Sequence, residues 1–291
     1  MKPYFFLSLL VVLSGCVHRN RQTAASSDDT STPVVSSLLS AEASSRDGRS
    51  PNEDQLAAML PARRPSLPEQ RLRRMAYVCS FNNQTLMPNW VAWQLTKAHT
   101  QGRLSRDKVK FMEDQDVAPQ YRVTTFDYNR SGYDRGHMCP AGDNKWNATA
   151  LQQCFLMTNI CPQGHNLNAG DWNDLEIRCR QWARQYGDIY IICGPILRGN
   201  AQRRIGRRQR RITVPDAFFK VVVCLNGTPK GIGFIYENED GHHPMDYYVR
   251  TIDEVERVTG YDFLASLPDA TERAIEGRAD LRAWGRAQEK R

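Results

Sequence analysis

Six short apolar runs, at 75–81, 90–95, 153–159, 189–193, 218–225 and 231–236, are bounded by Gly, Asn or Pro and separated by stretches of unequal length. Runs of this kind read as strands. Between them lie segments of helical periodicity. The clearest begins near Asn168, where Trp172, Leu175, Cys179, Trp182 and Ala183 recur at helical spacing until Tyr186-Gly187. The same reasoning predicts helices over 253–259 and 271–284, while a short amphipathic piece at 56–60 reads equally as a helix or as transient structure. The order is neither a regular strand-helix alternation nor a repeat. It therefore predicts an α+β fold, a sheet layered with helices, in preference to a doubly wound sheet.

The runs occupy only part of the 291 residues. Residues 1–16 comprise one basic residue, Lys2, an apolar run from Tyr4 to Leu13, and then Leu13-Ser14-Gly15-Cys16. The run is too short to cross a bilayer, so it reads as a secretory signal. Its end resembles a bacterial lipobox, which implies lipidation of Cys16 and an exported, membrane-anchored lipoprotein of a bacterial cell envelope. Residues 17–70 are rich in Ser, Thr, Asp, Arg and Pro and poor in large apolar groups. Such a segment buries too little surface to offset its ordering entropy and reads as a flexible tether. Residues 71–291 carry the periodic segments and most of the aromatic residues, enough for one sizeable core.

Formal charge is +7, from 39 basic and 32 acidic residues, which favours a polyanionic partner. Arg198, Arg203, Arg204, Arg207, Arg208, Arg210 and Arg211 crowd one Gly-containing stretch between two apolar runs. Two readings stand side by side: a loop that meets a phosphate backbone, or a solvated hairpin. Of the eight cysteines, seven remain beside Cys16. In an oxidising compartment some should pair, with at least one thiol left over. Cys193 and Cys224 lie in apolar runs and read as packed core thiols; no CxxC pair occurs, so a zinc site is disfavoured.

Within 133–140, Tyr-Asp-Arg-Gly-His-Met-Cys-Pro places Asp134, Arg135 and His137 in four residues, and Asn168 and Glu176 follow downstream. Taken singly, each reads as structural: a turn aspartate, a surface arginine, a core histidine, a helix cap and a solvated glutamate. Together they suit phosphodiester chemistry. An imidazole takes a proton near neutral pH, a guanidinium holds a phosphate through its fork of donors, and an amide oxygen with a carboxylate suits a hard Mg²⁺ ion. Gly136 permits a sharp backbone or close approach of a ligand beside His137. On one continuous helix from Asn168, Glu176 would lie about two turns on, roughly 12 Å along the axis and about 80° round. Both cannot then bind one ion directly, so a short Asn touching it and a longer Glu reaching it through water would span the gap.

These residues resemble the DNA/RNA non-specific endonucleases, the ββα-metal or His-Me finger nucleases that include mitochondrial endonuclease G and secreted sugar-non-specific nucleases. The resemblance rests on Asp134-Arg135-Gly136-His137-Met138 with Pro140-Ala141-Gly142-Asp143, then 158–163, Leu167-Asn168, Trp172 and Leu175-Glu176, and it spans about residues 75–265. It implies a ββα-metal fold, with His137 as general base, Asn168 as the sole direct protein ligand of Mg²⁺ and Glu176 as the holder of a water on the metal. Arg135 corresponds to a phosphate-contacting arginine, and Asn159 to a site asparagine, grouped with His137, Arg135 and Glu176 as catalytic and expected to support its neighbours, as Asp134 does. A second phosphate-binding arginine precedes a Phe in the family. Arg106 before Phe111 fits it with a one-residue shift, and Arg103 is the rival. Mn²⁺ is expected to substitute for Mg²⁺, since both accept oxygen ligands.

The expected activity is cleavage of DNA and RNA, without strong sequence preference, to 5′-phosphate and 3′-hydroxyl ends. Two other classes stay open: a tethered nucleic-acid-binding lipoprotein without chemistry, and a phosphodiesterase of small nucleotides. Trp146 and Trp172 are candidates to stack on bases, though helix packing is the more ordinary role for Trp172.

Overall fold

The computed structural model describes residues 51–199, 202–206, 211–239 and 241–285. The signal, Cys16 and residues 17–50 of the expected tether lie outside these residues, as do Arg207, Arg208 and Arg210. Residues 51–70 of that segment are described and, against the expectation of a flexible tether, carry a helix over Pro51–Ala58 and bury Met59 in the core. Helix α1 (Pro51–Ala58) leads into three strands, β1 (Gln70–Arg73), β2 (Val78–Asn82) and β3 (Met87–Leu95). After a long irregular stretch come β4 (Asp134–His137), α2 (Ala148–Cys154), β5 (Ile160–Gln163), α3 (His165–Ala169) and α4 (Asp171–Tyr186). The remainder holds β6 (Ile189–Ile196), β7 (Arg204–Ile205), β8 (Ile212–Thr213), β9 (Ala217–Cys224), β10 (Lys230–Glu237), β11 (Val249–Arg250), α5 (Ile252–Thr259) and α6 (Asp269–Glu276). No helix among the described residues is long and apolar enough to cross a membrane.

Seven strands form one sheet in the order β1-β2-β3-β6-β9-β10-β11, and every pairing is antiparallel. All nine residues of β3 and all eight of β9 are buried, because both faces of the sheet are covered. That is why these strands read as continuous apolar runs without polar alternation. Side chains still alternate in direction with period two. Val91, Trp93, Ile191, Phe218, Val222 and Phe234 join a core with Trp172, Leu175 and Trp182 of α4. Trp90, Ala92, Ile192, Phe219 and Val221 join a second core with Ile252 and Val255 of α5 and Ile275 of α6. The expected α+β layering is the architecture found.

Three local expectations are corrected. Residues 153–159 are not a strand: α2 ends at Cys154 and a 3₁₀ turn spans Met157–Asn159, with the strand delayed to β5. The signal for a helix was present, since the Asn147 side chain caps α2 by accepting from the amides of Thr149 and Ala150. The predicted helix at 271–284 is α6 followed by a separate 3₁₀ turn, Leu281–Trp284, with Gly277 as the C-cap. Asn168 and Glu176 do not share a helix. Gly170 breaks the chain between α3 and α4, and a side chain there would meet the Asn166 carbonyl oxygen at 2.6 Å. The two-turn separation computed for a continuous helix therefore does not apply.

All seven described cysteines are buried thiols, and none is paired. Burial raises the thiol pKa of Cys79, Cys161 and Cys193, and that of Cys179 to about 12. The basic stretch is a hairpin at its base, with Arg204 opposite Thr213 and Ile205 opposite Ile212.

Candidate active site

Strands β4 and β5 pair antiparallel, with Asp134 opposite Gln163 and His137 opposite Ile160, and α3 follows β5 immediately. This ββα unit carries Asp134, Arg135 and His137 on its first strand and Asn168 on its helix. Residues two apart on a strand share a face. Accordingly Arg135 and His137 both line one cleft, of about 450 Å³, together with Asn168 and Glu176. Gly136 alternates to the other side, where a side chain would strike that of Gln163 at 2.2 Å. The close approach that requires glycine is thus made by Gln163 and not by a ligand.

Asp134 ties the unit together. Its Oδ2 accepts from Asn168 Nδ2 at 2.9 Å and lies 2.8 Å from His165 Nδ1. An ionised carboxylate only accepts hydrogen bonds, so it selects the NH₂ end of the carboxamide and leaves Asn168 Oδ1 as the donor atom for a cation. Asn168 Oδ1 and the Glu176 carboxylate are oxygen donors on one cleft, the set that Mg²⁺ accepts, and they fit the ion expected from the sequence.

His137 is held between two aromatic rings, Phe111 at 5.2 Å and Phe155 at 4.9 Å between centroids. Its Nε2 is shielded from solvent and has no hydrogen-bond partner among the described residues. A dry, unpartnered ring nitrogen is costly in a fold and is typical of a group kept for function. Burial, followed by the charges of Arg106 and Arg135, pushes the imidazole pKa down to about 3, so the ring is neutral and able to accept a proton. The two arginines use the same aromatic wall. Arg135 lies 4.7 Å over Phe111, and Arg106 lies 5.5 Å over Phe155. Arg106 lines the cleft and Arg103 does not, so geometry separates the two rivals.

Asn159 does not reach the cleft, which corrects its grouping with the reacting residues. It is 0% exposed, and its Nδ2 donates to the carbonyls of Cys139 and Cys154 while its Oδ1 accepts from the Cys139 amide. These bonds brace the turn that follows His137. Trp172 is also buried, packed against Phe218 at 5.6 Å and Tyr236 at 5.9 Å, and is not available to a base. Trp146 stacks on His99 at 4.3 Å and does not line this cleft.

Asn173, Arg180, Lys145 and Lys220 escaped the sequence reading, which finds Glu176 alone on this helix face. Asn173, Glu176 and Arg180 form a polar stripe on α4 beside its apolar one, at helical spacing, and all three line the cleft. Arg180 Nη1 donates to Asp143 Oδ1 at 2.9 Å, and Trp93 Nε1 donates to Asp143 Oδ2 at 3.1 Å. Lys220, 1% exposed in the middle of β9, lies under α4 with Nζ 4.0 Å from the centre of the Trp172 ring. A lysine inside an apolar strand was the available signal. Burial pushes the Glu176 carboxyl up to about 7, while Lys220, Arg180 and Arg106 pull it back and Asp143 opposes them. Lys145 completes the lining, so four cations face one carboxylate, a balance suited to a polyanion.

The sequence model of the DNA/RNA non-specific endonucleases matches residues 62–270. The chain belongs to this family. A nuclease of Nostoc sp. is 33% identical over 216 residues, covering 70% of this chain and 76% of the relative. Nuclease C1 of Cunninghamella echinulata var. echinulata is 32% identical over 220 residues, covering 71% and 87%. Of the mitochondrial relatives, human nuclease EXOG is 28% identical over 205 residues, and the match spans 56% of its length. Among solved structures, a chain from a crystal structure of the EndoG/EndoGI complex superimposes with a TM-score of 0.70 at 25% identity, covering 78% of this chain and 96% of that one. This member of the endonuclease family is accordingly a nuclease, a hydrolase acting on nucleic acids.

Proposed function

We propose that the chain is a Mg²⁺-dependent, sugar-non-specific endonuclease that hydrolyses DNA and RNA to 5′-phosphate and 3′-hydroxyl ends with His137 as general base. The observation that carries this reading is one cleft lined by both the neutral His137 imidazole and a carboxamide whose NH₂ is tied back by Asp134. Asn168 Oδ1 would hold the metal, with Glu176 reaching it through water. When bound there, the cation supplies charge neutralisation at the phosphate and at the departing 3′ oxygen.

The remaining steps belong to the protein. Arg135 and Arg106, set on their aromatic wall, grip the non-bridging oxygens of the scissile phosphate and aim the phosphorus at the imidazole. His137 removes a proton from water, whose oxygen bonds to phosphorus as the bond to the 3′ oxygen breaks; that oxygen then takes up a proton. Burial is the main cause of the low imidazole pKa, and an anionic phosphate between Arg106 and Arg135 offsets the two charges that add to it, so the base gains strength as substrate arrives. Contacts to phosphate carry no base identity, which accounts for weak sequence preference. Export as a lipoprotein anchored at Cys16 is part of the same proposal, and labelling with a fatty-acid analogue in wild type and Cys16→Ala tests it.

Plasmid DNA and structured RNA incubated with the purified protein and MgCl₂ should both be cut, and a chelator should stop the reaction. The new ends should accept ligation without prior phosphorylation. Binding without cutting would leave the non-catalytic reading, and cleavage of dinucleotides alone would leave the small-nucleotide reading.

A further inference from the structure

On the opposite side of the sheet from the cleft, α5 and α6 bring three carboxylates together. Asp253 is exposed, Glu256 half-buried and Glu276 buried, and one oxygen from each lies within 4.8 Å of the others. Acidic groups crowd at many surfaces without a ligand, so proximity alone decides nothing. Three further features of this cluster do. Glu276 is only 6% exposed, and its Oε1 is shielded from solvent with no hydrogen-bond partner among the described residues. A buried carboxylate oxygen left without a partner costs more than almost any other defect in a core. Asp253 also sits at the wrong pole of a helix. Its Oδ2 lies 3.7 Å from where a side chain would begin at Gly277, the C-cap of α6, so a negative charge faces the carbonyl end of the helix dipole. Glu256, finally, is fixed in place, because its Oε1 accepts from the Phe263 amide at 2.6 Å.

The surrounding charge makes matters worse. After burial itself, the groups acting most strongly on Glu276 are Glu256, Glu272, Asp253 and Asp262, all of one sign. Three carboxylates and the negative end of a helix thus meet, within the field of two further acids, and the most deeply buried of the three carries an oxygen without a partner. A cation there would resolve each of these unfavourable contacts at once.

We propose that Asp253, Glu256 and Glu276 form a second, structural cation site that clasps α5 to α6, and that its ligand is Ca²⁺. The donors are all oxygen, which excludes a preference for soft or nitrogen-seeking metals. Ca²⁺ binds oxygen at about 2.3–2.6 Å in flexible geometry, so oxygens on opposite sides of it stand about 5 Å apart, whereas Mg²⁺ demands about 4.2 Å across a strict octahedron. Donors drawn from two separate helices and a mixture of exposed and buried positions form an irregular set, which the flexible coordination of Ca²⁺ accepts more readily than the strict octahedron of Mg²⁺. One donor comes from near the start of α5, one from its second turn and one from the last residue of α6. The ion would therefore stabilise the packing of two helices that cover the second core, at a distance from any reacting group.

The test uses the full chain with Asn168→Ala, which removes the direct ligand of the cleft and leaves the helix pair untouched. Adding millimolar CaCl₂ after chelation should raise the thermal midpoint by ~5 °C or more, as tight binding to the folded state alone requires. Calorimetric titration of the same protein with CaCl₂ should report one site. Adding Glu276→Gln should abolish both signals. Should that variant fold poorly, Asp253→Asn at the exposed ligand should weaken Ca²⁺ binding at least tenfold while the unloaded midpoint stays in place or rises. Failure of Ca²⁺ to shift the midpoint, or a shift of unchanged size in Glu276→Gln or Asp253→Asn, would overturn the proposal and leave a shared proton as the occupant. An equal shift with MgCl₂ would overturn the choice of ion.

Discussion

Strand β9 shows the two faces of the sheet side by side. Phe218, Val222 and Cys224 point toward α4, with Lys220 in register among them, whereas Ala217, Phe219, Val221 and Val223 point toward α5 and α6. Toward α4 the core admits Lys220, Asp143 and, at the cleft, Glu176 and Arg180, linked by hydrogen bonds and mutual charge. Toward α5 and α6 the interior is apolar, with Glu276 as its one buried acid among the described residues, at the edge beside Glu256 and Asp253. Buried charge lowers stability unless it is compensated. Its concentration on one face teaches that the sheet separates holding the fold from positioning the chemistry.

The sharpest way to break that division is His137→Ala. It should cost ~10²–10⁴-fold in kcat while DNA binding, measured in chelator, is retained. Cleavage within tenfold of wild type would remove the imidazole from the reaction. Phe219→Ala is its counterpart on the other face. Phe219 is fully buried, with Tyr261 at 5.9 Å and Phe263 at 5.6 Å between ring centres. The substitution should cost ~3–5 kcal/mol of stability in denaturant titration, with kcat per folded molecule unchanged; a matching fall in kcat would show that the faces are not independent.

Asp134→Ala sharpens the comparison within the cleft, because Asp134 bears on the proposed metal site through its bond to Asn168. We expect the Mg²⁺ concentration for half-maximal activity to rise ~10–100-fold, with the unfolding midpoint nearly constant. A smaller effect is read from pH. The folded imidazole of His137 is pushed down to about 3 from an ordinary 6.5. Below pH 6.5 the unfolded chain therefore binds a proton that the folded chain refuses, and stability present above that pH is lost as pH falls toward 3. Wild type should lose stability relative to His137→Asn between pH 7 and 4, and a constant difference between them would show that the imidazole is not desolvated. The slightest effect belongs to the hairpin. Arg203 Nη1 donates to the Tyr133 hydroxyl at 3.0 Å, beside the start of β4. Arg203→Gln should flatten the salt dependence of DNA binding by about one unit of slope, and an unchanged slope would leave the hairpin a solvated turn.

Legibility in the sequence followed how local each constraint is. His137, Arg135 and Asp134 were legible because one four-residue strand carries them, and α4 because its apolar residues repeat along a single helix. The start of α4 was misplaced because the break at Gly170 depends on a clash with Asn166, which composition does not reveal. Residues 153–159 were misread because buried helix and buried strand share the same apolar residues when the segment is short. Arg180, Lys145 and Lys220 went unnoticed for a different reason. Arg180 and Lys220 matter through partners far along the chain, Asp143 and Trp172, and Lys145 through a cleft assembled from distant segments.

By itself the sequence determined the layered class of the fold, the family and the chemical inventory around His137 and Asn168, since periodicity and contiguous motifs are properties of neighbouring residues. Only the tertiary structure decided which arginine meets the imidazole, which end of the Asn168 amide faces outward, that Asn159 braces instead of reacting, and that three acids of α5 and α6 converge. Those outcomes depend on distances between segments separated by tens of residues. Packing sets such distances, and no local pattern encodes them.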